Sequence, residues 1–286
     1  VNAAIDAGVE RFVYLSSAEV YGPNVAGEVR ESSDTPQAGN PYADAKVQAE
    51  QLCLAAAQRG LLPVVLRPSI IYGPGSASWT VNIAKRLLSG AWGRFEEFGD
   101  GLANLVYIDD LAEAILLSLA EPAARGKALN INGPDRVTWN EYFERFNAAL
   151  GLPPLKSIAP ARSRARTLLM DQVGRATDLV RDHFEDRLMD IYLRGGWMSR
   201  LMKRIKGKLD ATPSSSELTG LYSREARYDD SLARRTLGYH PRVSLDQGLA
   251  ASVAWLRHQQ LAGAEPPCSD DKAAAPLESP PLEAPV

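Results

Sequence analysis

The sequence predicts an α/β protein built on a parallel sheet, and three observations carry that prediction. A short β-rich run, residues 11–16 (RFVYLS), follows directly on what reads as the end of a helix at Gly8. A continuous apolar run, 62–71 (LPVVLRPSII), has the composition of a strand covered on both faces. A third run, 127–132 (KALNIN), comes after a helical stretch, so strand and helix alternate along the chain.

Each element has its own local signal. Residues 1–8 (VNAAIDAG) read as a helix closed by Gly8, since glycine enters the left-handed region without penalty. Pro41 opens the next helix at the position where a missing N–H costs least, and Gly60 closes it. Asp109 and Asp110 begin the helix 109–121, where two acids complement the dipole. Thr138 caps the helix 138–150, with Glu141 three residues on to complete a capping box. Residues 155–215 are rich in Arg and Met and show no clear strand; helix returns over 231–260, turning at Gly238-Tyr239-His240-Pro241. From 262 to 286 the chain is Pro, Ala, Ser and acid, a composition too poor in apolar surface to order itself, and is expected to be a disordered tail.

Composition narrows the function. The formal net charge of −3 over 286 residues gives no basic footprint for nucleic acid. The three histidines, His183, His240 and His258, lack ligand spacing, and Cys53 and Cys268 stand far apart, so neither a metal site nor a disulfide framework is expected. The sequence shows no membrane-spanning apolar run and no secretory start, so a cytoplasmic protein is expected. The stretch 194–209 (RGGWMSRLMKRIKGKL) alternates apolar and basic residues at helical spacing. It reads either as a lid helix packed on the core or as a peripheral membrane contact.

The chemistry centres on Tyr42 and Lys46. Four apart on a helix, they share a face. An ammonium beside a phenol favours the phenolate and makes a usable acid/base for a hydroxyl or carbonyl. Upstream, Ser16 and Ser17 open SSAEVYG at the end of the first strand, the end at which ligands bind in open α/β sheets. After the next strand comes RPSIIYGPG, 67–75, whose Pro and Gly mark a sharp exit.

In this order and spacing, GVERFVYLSSAEVYG, NPYADAK, LPVVLRPSIIYGPG and LVYIDDLAEAI resemble the extended short-chain dehydrogenase/reductase family, the NAD-dependent epimerase/dehydratase group, over residues 1–150, with a weaker echo at 225–258. The resemblance implies a Rossmann-type doubly wound sheet over 1–150, with a substrate-domain insert around 75–103, and a mostly helical substrate domain over 151–261. It implies a homodimer and a small-molecule substrate, a nucleotide sugar. Ser17, Tyr42 and Lys46 would form the catalytic triad: Tyr42 as acid/base, Lys46 holding the nicotinamide ribose, Ser17 holding the reacting oxygen. Ser16, Pro68 and Ser69 would lie against NAD or NADP, with Ser17, Tyr72, Arg94 and Asn104 toward substrate. Dehydrating members often carry an acid where Glu19 stands, and on an extended segment it would share a side with Ser17. Ala103 stands where nucleotide-sugar members commonly have Arg, which keeps a hydroxysteroid-type or other apolar-alcohol dehydrogenase as an alternative. The family's G-x-x-G-x-x-G loop, which holds the pyrophosphate at a helix N-terminus, has no counterpart in the sequence. The chain is therefore expected to begin partway through its fold, without the strands that precede Ser17 in the family. As given, it could then be a non-catalytic fragment.

Overall fold

The computed structural model describes residues 1–37, 39–90, 92–159 and 220–261; the stretch 194–209 and the expected tail at 262–286 lie outside the described residues. In chain order the first elements are α1 (Asn2–Asp6), β1 (Val13–Leu15), β2 (Gly27–Val29), α2 (Pro41–Ala55), β3 (Val64–Pro68) and β4 (Ile70–Tyr72). Then come α3 (Asn82–Leu88), β5 (Arg94–Phe95), β6 (Leu105–Tyr107), α4 (Ile108–Ala120), β7 (Ala128–Ile131) and α5 (Trp139–Ala149). The last are β8 (Ser157–Ile158), β9 (Ala226–Tyr228), α6 (Ser231–Leu237) and α7 (Leu245–His258).

The central sheet is parallel, in the order β1-β3-β7, with Val13 opposite Val64 and Val65 opposite Ala128. Every residue of β3 is buried, as its unbroken apolar run predicts. The run expected as one strand over 62–71 is, however, two strands in two sheets. Pro68 has no N–H to donate, and the chain changes partner there. The Ser69 amide bonds Ile131 O of β7 and the next amide, Ile70, bonds Asn104 O, so that β4 pairs with β6. That break at Ser69 leaves a cleft beyond the C-terminal ends of β1 and β3.

The helices follow their end signals. Asn40 caps α2, its Oδ1 accepting from the amides of Tyr42 at 3.0 Å and Ala43 at 3.1 Å, with Pro41 in the first turn. The helix tightens into a 3-10 turn over Ala56–Arg59, and Gly60 stops it at φ +88°. The Thr138–Glu141 capping box of α5 is complete, and Ser244 with Gln247 makes another on α7. Asp110, buried in the first turn of α4, accepts from the amides of Arg242 and Val243 and so ties α4 to the chain entering α7.

The described residues after 150 contribute short strands as well as helices: β8 pairs with β5, and β9 with β2. Packing does not divide at residue 150. Ala233, Leu237 and Tyr239 share one core with Val64, Leu66, Leu129 and Ile131 of the central sheet and Leu111 of α4. A second core is aromatic, joining Trp92, Phe95, Trp139, Phe143 and Tyr222 to Leu249, Val253 and Leu256 of α7. Burial of those large rings supplies much of the apolar area that holds this part together. Among the described residues no helix is long and apolar enough to cross a membrane, and no metal-ligating cluster occurs.

Candidate active site

A cavity of about 820 Å3 opens at the sheet's C-terminal edge. Ser16, Ser17, Tyr42, Pro68 and Ser69 line it together, although they come from three separate stretches of chain. Each is placed by a local cause. The Ser16 amide continues the β1–β3 ladder by bonding Leu66 O, which sets the residue at the strand's end. Ser17 has φ −159° and caps a 3-10 turn over Ala18–Tyr21, its Oγ accepting from the Glu19 amide at 3.2 Å. Tyr42 stands in the first turn of α2 with its ring 55% exposed, the one large side chain of the site open to an incoming molecule. Lys46, one turn on, donates to Leu15 O at 2.8 Å, which holds its ammonium 5.8 Å from the Tyr42 ring centre and 5.3 Å from that of Tyr14.

The hydroxyls of Ser16 and Ser69 are buried and have no hydrogen-bond partner among the described residues. Buried polar atoms are rarely left so, and two of them on adjacent strand ends in one cavity wall fit a ligand that brings polar groups to that point. The polar end of a nicotinamide dinucleotide meets that description.

Ile70, Trp79, Leu102 and Leu221 give the cavity an apolar lining, and Asn104, which also lines it, donates from Nδ2 to Ala226 O at 2.9 Å. Trp79 sits in a π-helical turn over Ala77–Val81 whose start is capped by Ser76.

The expected position of Glu19 is corrected. It does not extend beside Ser17 on a strand but sits in the turn that Ser17 caps. Its carboxylate is held by Arg224 through two bonds, Nη1 to Oε1 at 2.8 Å and Nη2 to Oε2 at 3.3 Å. Burial works against the Arg224 charge, but its bonds to Glu19 and Tyr228 hold the guanidinium above its ordinary value. Arg224 also donates to Tyr228 Oη at 3.1 Å, and Tyr228 stacks on Tyr21 at 5.6 Å between ring centres.

A second buried pair joins β3 to α2. Arg67 of β3 holds the Glu50 carboxylate at 2.6–3.2 Å, and it donates to Tyr21 Oη at 2.9 Å and Glu31 O at 3.1 Å. Glu50 is one turn past Lys46 on α2, so this pair fixes α2 against β3.

Two sequence-derived candidates fall elsewhere. Tyr72 is 3% exposed in the aromatic core, edge-on to Tyr107 and Tyr142, because β4 turns its last residue inward. Arg94 lies on β5, paired with Glu144 at 3.0 Å, and does not line the cavity. Asn104 does line it. Arg224 and Tyr228 were not foreseen: their partners are about two hundred residues away in sequence, and no spacing rule reaches that far.

Residues 1–132 match the family model described as the NAD dependent epimerase/dehydratase family. UDP-glucose 4-epimerase of Vibrio cholerae is 24% identical over 247 residues, covering 86% of this chain and 62% of that protein. 2-alkyl-3-oxoalkanoate reductase of Stenotrophomonas maltophilia is 30% identical over 215 residues, covering 73% of this chain and 56% of the relative. Among solved structures, UDP-glucuronic acid 4-epimerase from Bacillus cereus in complex with NAD superposes with a TM-score of 0.61 at 18% identity, covering 90% of this chain and 65% of that one. The chain thus spans less than two thirds of the length of each of these proteins.

Proposed function

We propose, from the match of residues 1–132 to the NAD dependent epimerase/dehydratase family model, that the protein is an NAD(P)-dependent enzyme acting at a carbinol carbon of a nucleotide sugar, with Tyr42 as acid/base. The observation that carries this reading is the meeting of Ser17, Tyr42, Ser16 and Ser69 in one cavity at the sheet's C-terminal edge. NAD or NADP, when bound, supplies the acceptor for the hydride. Ser16, Pro68 and Ser69 would hold its nicotinamide end, satisfying the two orphaned hydroxyls. Tyr42 takes the proton of the substrate hydroxyl and returns it to the carbonyl oxygen in the reverse direction. Ser17 holds that oxygen, its hydroxyl hydrogen being free while its lone pair caps the turn. Lys46, anchored on Leu15 O, keeps a positive charge beside the phenol. A homodimer belongs to the same reading, and light scattering tests it.

The test is oxidation of UDP-glucose by the full-length protein loaded with NAD or NADP, read as enzyme-bound reduced cofactor. Tyr42→Phe should remove turnover and leave cofactor binding in place; turnover by that variant at the wild-type rate would refute the acid/base role.

One observation favours a second reading, an apolar-alcohol dehydrogenase. Ala103 is 1% exposed in the aromatic core, so it offers a diphosphate nothing, and the wall beside Asn104 is Ile70, Trp79, Leu102 and Leu221. The same assay with a long-chain secondary alcohol in place of UDP-glucose separates the two.

A further inference from the structure

Arg224 and Glu19 face the cavity beside Ser17, and no sequence motif assigns them a joint role. Among the described residues lining the cavity, Glu19 is the one acid and Arg224 the one cation. They are bound to each other by two hydrogen bonds, the strong bidentate arrangement of a guanidinium with a carboxylate. The Arg224 side chain is only 7% exposed, whereas that of Glu19 is 34% exposed. Arg224 cannot swing away easily. Tyr228 Oη accepts from the same Nη1 that serves Glu19, and the Tyr228 ring is stacked on Tyr21, whose own hydroxyl donates to Asn130 Oδ1 at 2.6 Å. Its Nε is buried without a hydrogen-bond partner among the described residues, and Glu19 is the one carboxylate there that pairs with this guanidinium.

That arrangement bears on which reactions the cavity can run. Exchanging a hydride and a proton at a carbinol carbon needs one acid/base, and Tyr42 supplies it. Eliminating water next to the resulting carbonyl needs a second base. The hydrogen on the neighbouring carbon leaves as a proton to a carboxylate, its bonding pair forms the double bond, and the β-hydroxyl departs with its pair, protonated to water. Both oxygens of Glu19 are already engaged by Arg224, at 2.8 and 3.3 Å, and turning the carboxylate toward a substrate carbon would leave the buried guanidinium without its partner, which is strongly unfavourable. Glu19 is therefore spent as a counter-ion.

We propose that Arg224 is the residue that sets the reaction type: by committing Glu19 to the wall it leaves Tyr42 as the single base among the described residues of the cavity, so the enzyme interconverts alcohol and carbonyl without removing the adjacent hydrogen. The proposal rests on the redox reading above and narrows it to the epimerase or dehydrogenase side. Arg224 acts through Glu19 and is a positioning residue.

Two measurements test it. In the ligand-free protein, the Arg224 Nη–H protons should give slowly exchanging side-chain NMR signals that vanish in Glu19→Gln; signals unchanged by that substitution would mean there is no lock. In the NAD-loaded full-length protein turning over UDP-glucose in D2O, the carbons flanking the oxidised one should stay protiated. Arg224→Met, which frees Glu19, should raise deuterium incorporation there about a hundredfold, the lower range of what a positioned base contributes. Arg224→Met with Glu19→Gln should return it to the wild-type level. Incorporation by the wild type, or none gained in Arg224→Met, overturns the proposal. If the wild type does not oxidise the sugar at all, it is the redox reading that fails, and the lock stands or falls on the NMR signals.

Discussion

The buried pair Glu50–Arg67 gives the sharpest quantitative expectation, because both the helix that carries Tyr42 and the turn that carries Ser17 hang on it. The two side chains are 4% and 6% exposed, and three contacts of 2.6–3.2 Å join them. Arg67 uses its remaining donor capacity on Tyr21 Oη and Glu31 O. Removing one partner leaves the other charged, buried and uncompensated. Glu50→Leu and Arg67→Met should each therefore cost about 3–5 kcal/mol of unfolding free energy. The double variant places two apolar chains of similar length in the same space and strands neither charge. It loses only the Arg67 bonds to Tyr21 and Glu31, about 1–3 kcal/mol in all. The sum of the single losses should thus exceed the loss in the double variant by several kcal/mol, roughly the penalty of one stranded charge. Urea denaturation followed by tryptophan fluorescence measures all three, with constant m-values as the check on two-state behaviour. A single substitution costing under about 1 kcal/mol, or additive losses, would refute the claim that this pair is desolvated and coupled.

Other expectations follow from individual sites. Tyr42→Phe should lower turnover about 10²–10⁴-fold with cofactor affinity unchanged, read by steady-state kinetics and equilibrium dialysis. Gly248→Ala would put a Cβ 2.4 Å from the Tyr72 hydroxyl, in a core where that ring is wedged against Tyr107 and Tyr142; a loss of about 1–3 kcal/mol should show in urea denaturation. Burial raises Asp110 above the ordinary carboxylate range, against the lowering effect of its bonds from the Arg242 and Val243 amides. The folded state then binds that proton more tightly than the unfolded chain, so the contribution is full at pH below the unfolded value and is lost as pH rises through the folded one. Asp110→Asn should flatten that part of the stability–pH curve; an unchanged slope would assign it to another group.

The parts of the fold and site that were legible in sequence are those governed by neighbours. Asn40, Pro41, Tyr42 and Lys46 lie within seven residues, and helix geometry alone puts the last two on one face. Thr138 and Glu141 announced their capping box for the same reason. The apolar run of β3 was visible because burial on both faces removes alternation. What was not legible depends on partners far along the chain. Residues 62–71 look uniform, yet the strand changes sheets at Ser69, since Ile131 and Asn104 offer their carbonyls to successive amides there. Strands β2 and β9 are three residues each and pair with one another across almost two hundred residues, too short for periodicity to register. Glu19 shows the consequence for chemistry. Sequence supplies a carboxylate two positions after a serine, which reads as a base. Only the returning segment 220–228 brings Arg224 to it, and that contact turns a candidate proton acceptor into the counter-ion of a buried cation. In this protein the residues that position the chemistry come from segments the motif does not contain, so the motif predicts where the reaction happens better than it predicts which reaction it is.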